Sequence, residues 1–374
     1  MERSPSISYH GTLAEDAGAA VAGYRGNLQK RRFLVSLLLA TWIPISILIF
    51  IGLTGIAQFG LTQIKIVLLF LGGAHVQATL FFYTDSEFGQ IIRANKYRYI
   101  YAPLALMAGS GVLFALANPV AQAYLFLFFW AWQTYHYGRQ NVGIYSFASV
   151  AESTRATRAE RLALELATIC GILGTIKVLG EGTVPVYLQP IVDILYLVGL
   201  YGMIGVFIFG IIVFFRNSKQ ASILRGLFFF TLLAFFVPLY LSNNVLISFS
   251  SYAIAHGLQY LVFMAVVSLN SSETPTVNPW RGLLKMACLT LFFGFICYRL
   301  ADLRGAEFIN SHVAAGKLLD FMVGAVFGGT LAHFVIDGGA WRLRKADSRE
   351  FMVKRFGFLF DQRTKGDAGA GVEG

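Results

Sequence analysis

The chain has 374 residues, of which 56% are hydrophobic and only 13% charged, with 34 Phe and a formal net charge of +10. That charged share is about half of what soluble domains carry, and no soluble fold of this size hides so much apolar surface. The basic excess gathers beside the apolar segments, the pattern of membrane topology, and excludes nucleic acid as the partner.

Residues 1–32 read as a polar cytoplasmic tail without a cleavable signal peptide, because the first apolar run is too long for a signal core. A helix needs roughly 20 apolar residues to cross a hydrocarbon core of about 30 Å. Ten segments reach or approach that length: 33–57, 62–83, 98–117, 119–147, 162–180, 188–215, 223–242, 245–269, 282–300 and 314–341. The expected fold is an all-α, ten-helix transmembrane bundle over 33–341, followed by a basic cytoplasmic tail over 342–374. The fifth segment carries Glu165 and Lys177 near its two ends. Asn118-Pro119 and the three residues from Ser242 to Asn244 are connectors so short that the helices they join must be antiparallel neighbours.

Counting Lys and Arg sets the orientation. With the N-terminus inside, 24 basic residues fall in the tails and inner loops and four (Lys65, Arg299, Arg304, Lys317) outside. Every loop then alternates as the positive-inside rule requires, placing both termini in the cytoplasm and the protein in a bacterial inner membrane. Residues 350–360 are expected to lie as an amphipathic helix on anionic lipid, and the final Gly-rich residues to be disordered. No internal repeat is apparent. The Phe-rich stripes read as lipid-facing or core packing. Cys170, Cys288 and Cys297 sit in apolar runs without CxxC pairing, which excludes a disulfide framework or thiolate metal site.

His10 and His312 lie outside the spans, whereas His75, His136, His256 and His333 fall one each in the second, fourth, eighth and tenth. These four helices run in the same direction, and each histidine lies roughly 14–20 Å from the inner end of its helix at 1.5 Å per residue. Four imidazoles thus share one layer near the midplane, where unpaired polar groups are costly and ionisable side chains face the bundle interior. Singly, each is most simply an interhelical hydrogen bond; together they read as metal ligands. Asp337, four residues beyond His333, is a further ligand or a partner just outside the ligands. Gln133 and Gln140 share the face of His136, and Tyr252, Gln259 and Tyr260 that of His256. Arg139, Gln140, Tyr252 and Gln259 are the candidate catalytic groups, with lipid snorkelling the simpler reading of Arg139.

Imidazole with or without carboxylate suits iron, zinc or copper. Non-haem iron is expected, with zinc or a bis-imidazole haem as alternatives; c-type haem is excluded by the absence of CxxCH. The HxxxH and HxxHH boxes of membrane desaturases are absent. Single intramembrane histidines followed by a late His333-Phe-Val-Ile-Asp337 resemble the Brp/Blh carotene-cleaving dioxygenases. The resemblance lies in arrangement and implies histidine-held iron and oxidation of an apolar lipid or isoprenoid entering from the bilayer. Two other classes remain open: a transporter or proton-coupled permease with a midplane histidine relay, and a subunit holding haem or pigment.

Overall fold

A computed structural model describes residues 10–54, 64, 67–68, 73–181, 184–216, 222–242, 244–271, 280–310 and 313–360. Side chains are described from residue 26 onward, except at 74, 298, 300–310 and 313–315. His10 and His312 therefore lie outside the described side chains.

All regular structure among the described residues is helical. The helices are α1 (His10–Thr54), α2 (Ala74–Ala78), α3 (Ser86–Ala94), α4 (Ala102–Leu116, entered through a π-turn Tyr97–Tyr101), α5 (Pro119–Ala151) and α6 (Arg158–Gly180). After them come α7 (Gln189–Arg216), α8 (Ile223–Leu233), α9 (Pro238–Leu241), α10 (Val245–Leu269), α11 (Trp280–Asn310), α12 (Val313–Ala340), α13 (Ala346–Arg355) and α14 (Gly357–Phe360).

Seven stretches are long and apolar enough to cross a membrane: Gly26–Thr54, Tyr97–Leu116, Arg158–Gly180, Val186–Arg216, Val245–Leu269, Trp280–Cys297 and Gly316–Ala340. Each coincides with an expected span. The other three expected spans differ for separate reasons. The second falls largely outside the described residues, which pick it up at α2 and a 3-10 turn, Thr79–Thr84. The fourth is α5, long enough at 33 residues, but Gln133, His136, Arg139, Gln140 and Asn141 dilute its second half. The seventh is broken: the short apolar stretch Ile223–Phe236 is followed by Pro238, which opens α9.

Local chemistry explains the helix starts. Asn118 accepts from Ala121 N at 2.9 Å and Pro119 fills the first turn of α5. Thr157 and Glu160 form a reciprocal capping box on α6. Packing then depends on close approach. On α12, Gly324 and Gly328 face backbone of α4 so closely that a Cβ at either position would collide with the carbonyls of Ser110 and Leu106. This is the small-xxx-small geometry of membrane helix pairs. Gly138 similarly admits Thr168 between α5 and α6. Of the Phe stripes, Phe129, Phe228, Phe229, Phe235 and Phe236 are core, whereas Phe128 faces outward.

The C-terminal region departs from expectation. Residues 350–360 were expected on lipid, yet Phe351, Met352, Phe356 and Leu359 are buried in the main core. Phe351 packs on Phe82 and Phe88, and Phe356 on Phe33 and Phe263. Arg355, with no exposed surface, donates to Asp85 at 2.9 Å and to Glu87 at 2.7 Å. The apolar face of this segment thus covers protein, because buried acidic partners stand ready for its one inward charge. Residues 361–374 lie outside the described set.

Candidate metal centre

α2, α5, α10 and α12 each contribute one histidine to a single cluster. Taken in circuit, the ring centroids are 4.6 Å apart for His75–His256, 5.3 Å for His256–His136, 5.4 Å for His136–His333 and 5.2 Å for His333–His75. In all four contacts the ring planes stand close to perpendicular, at 70–85° to one another. His75, His256 and His333 are buried and His136 partly so. Tyr137 lies over His256 at 3.9 Å, and Phe334 stacks on His136 at 3.8 Å. These aromatic walls fix the imidazole planes.

Two overlapping groups have the spacing of metal ligands: His75, His256 and His333, and His136, His333 and Asp337, each with ligand atoms within 4.8 Å of one another. The Nε2 atoms of His75 and His256 are 3.1 Å apart. Two imidazoles bound to one ion at about 2.1 Å would place their nitrogens about 3.0 Å apart at right angles and about 3.4 Å apart in a tetrahedron. The observed separation lies between these.

Proton counting around His333 sharpens the fit. Tyr260 OH donates to Asp337 Oδ1 at 2.9 Å and also lies 2.9 Å from Thr79 Oγ1, which is 2.6 Å from His333 Nδ1. With Asp337 a carboxylate, the single proton of Tyr260 goes to it. Thr79 must then donate to Tyr260, and His333 Nδ1–H must donate to Thr79. The other ring nitrogen, Nε2, is left with a lone pair facing Asp337 Oδ2 at 3.4 Å. A proton shared between these two atoms, or a metal cation in its place, would satisfy both. His136 Nε2 is likewise buried without a hydrogen-bond partner among the described residues. These donors fit a divalent metal with imidazole and carboxylate ligands.

The other sequence candidates fall around this centre. Gln140 lines a cavity beside it, with its amide unpartnered among the described residues. Arg139 lines the same cavity, and its guanidinium is engaged by Glu165 at 2.6 Å on an exposed surface. Tyr252 and Gln259 direct their hydrogen bonds away from the histidines, Tyr252 to Thr175 of α6 and Gln259 to Thr41 of α1. Thr79 was not singled out from sequence, although it stands four residues after His75 on the same helical face.

The histidine level separates two cavities of about 480 and 500 Å³. Along α5, α10 and α12 the second cavity is lined by residues up to Tyr137, Ala253 and Thr330. The first is lined from Trp132, Tyr260 and Phe334 onward and includes His136 and Asp337 themselves. The first cavity is therefore the one that gives direct access to the candidate ligands. No protein-family model, curated protein or solved structure matches the chain.

Proposed function

We propose that the protein is an intramembrane metal-dependent oxidoreductase that oxidises an apolar lipid or isoprenoid with dioxygen. In this reading it has ten spans, both termini lie in the cytoplasm and the membrane is a bacterial inner membrane, on the strength of the basic-residue asymmetry. The observation that carries the proposal is the buried cluster of four histidines and Asp337 at metal-ligand spacing, with His136 and Asp337 lining an aromatic-walled cavity. Bound iron would supply dioxygen activation, the chemistry that the likeness to carotene-cleaving dioxygenases also implies. His75, His136, His256, His333 and Asp337 would hold it. The chain's own contribution is orientation: Thr79 and Tyr260 fix His333 and Asp337, and Phe334 fixes His136. A haem between His75 and His256 is disfavoured, since no macrocycle passes between nitrogens 3.1 Å apart.

Metal analysis of purified wild type and single His→Ala variants tests this. Each of the four changes should greatly lower bound metal in a folded, inserted protein, because the apolar spans drive insertion. Asp337→Asn should be as severe if its carboxylate binds metal, and milder if it only orients His333. Wild type without metal would remove the reading.

One observation favours a second reading, a proton-coupled permease: the histidines form the partition between two cavities. Histidine-dependent proton flux in proteoliposomes of a metal-free protein would favour it instead.

A further inference from the structure

The first cavity has features that an entirely apolar substrate does not need. Its mouth lies between α5 and α12, helices that touch through His136 and Phe334 while their backbones stay apart. Gly143 and Gly338 both line it and are exposed, and at neither would a Cβ meet any neighbour within 4 Å, so open space lies beside both. Trp132 and Tyr135, 45% and 44% exposed, flank it on the surface that faces lipid when α5 spans the membrane. The opening is thus lateral, into the bilayer.

The polar groups of the cavity are graded along its length. His136 and Asp337 lie at its inner end. Gln140 comes one turn along α5 from His136, with an amide nitrogen buried and without a partner among the described residues. Arg342 follows at the end of α12, exposed and without a carboxylate partner among the described residues, unlike Arg139, which Glu165 neutralises. A cation at the rim, aromatic walls between and candidate metal ligands at the base form a site for a molecule with an anionic oxygen head and an apolar chain. The second cavity lacks a cation; its unpartnered group is the acceptor Oε1 of Gln133.

Resting on the metal-oxidase reading above, the geometry points to a single-chain amphiphile with a carboxylate or phosphate head as the substrate class. It enters sideways between α5 and α12, with its head at Arg342 and the carbon to be oxidised some way down the chain. A wholly neutral hydrocarbon would leave that rim unused.

The test is photolabelling of the full chain in zwitterionic nanodiscs with diazirine- and alkyne-bearing hexadecanoic acid, hexadecyl phosphate and hexadecanol. Saturable labelling by acid or phosphate on α5 and α12 is expected, at about tenfold lower concentration than the alcohol, the size of one charge-assisted contact. Whichever of the two anions labels more tightly identifies the head. Arg342→Gln, an exposed change that should fold normally, should remove the anion preference, and Gly143→Leu with Gly338→Leu should block labelling by all three. Equal labelling by acid, phosphate and alcohol, labelling confined to other helices, or an Arg342→Gln protein that keeps the preference would overturn the proposal. Metal content is measured on the same samples, with and without chelator. Metal without anion-selective labelling defeats this inference alone, and selective labelling without metal defeats the oxidase reading alone.

Discussion

His333 has both of its nitrogens accounted for, and the two are not equivalent. Its Nδ1 is tied by Thr79, and its Nε2 faces Asp337. Thr79→Val keeps the shape of the side chain and removes the acceptor, so the ring loses its anchor but not its place. Metal affinity should fall about 10- to 100-fold, the usual effect of a partner just outside the ligands, without loss of folding; a chelator titration reads this. A different residue-scale dependence lies away from the site. Glu160 accepts from Arg225 Nη2 through both oxygens, at 2.7 and 2.8 Å, and from Tyr145 at 2.9 Å, with Glu160 and Arg225 both buried. Arg225→Met leaves a buried carboxylate without its cation and should cost about 3–5 kcal/mol. Adding Glu160→Met should restore much of that. Thermal unfolding in detergent compares the two proteins.

At the scale of elements, α12 lies along α4 because Gly324 and Gly328 let backbone meet backbone. Gly328→Leu should force the two helices apart and lower stability by at least the 1–3 kcal/mol typical of overpacking, seen as a lower unfolding temperature. Gly329→Leu, next in sequence but with nothing within 4 Å of its Cβ, should be nearly neutral. The spacing Gly324-xxx-Gly328 was readable in the sequence; that it meets Ser110 and Leu106 was not, since one helix does not name its partner. Helix positions were readable for the same reason that spans are: long apolar runs have few alternatives. α5 was read as the span 119–147 from its length and apolar first half, although the polar residues of its second half keep it below the apolarity of the other seven. The break at Pro238 was also visible, but a proline ends some membrane helices and only kinks others. For the site, the spacing of His333 and Asp337 revealed their pairing. The approach of His75 to His256, 181 residues apart, depends on tertiary packing that no local pattern encodes.

The whole molecule is closed at one end by its own C-terminal segment, the part that sequence reading placed on lipid. A run of charges with interspersed Phe reads as a surface helix until its partners are known, and those partners come from far upstream. Arg355 donates to Asp85, Glu87 and the carbonyl of Asn270, while Asp85 also caps α3 and accepts from Ser271 at 3.0 Å. Around this knot, Phe351 and Phe356 hold Phe82, Phe263 and Trp341, and Trp341 is a wall of the first cavity. The segment therefore supports a wall of the first cavity from outside it. Arg355→Met should cost about 3–5 kcal/mol, because Asp85 keeps its buried charge and loses its cation. Arg355→Lys should recover only part of this, since an ammonium cannot reproduce the planar set of donors that spans two carboxylates and a carbonyl. Both variants should also raise the exposure of Trp341 to a quencher such as acrylamide, at temperatures where the spans remain folded. Lys354→Met is the control: its ion pair with Glu87 is exposed on the lysine side and should be worth less than about 1 kcal/mol. An Arg355→Met protein as stable as wild type, with Trp341 still shielded, would mean that the C-terminal segment rests on the bundle without holding it.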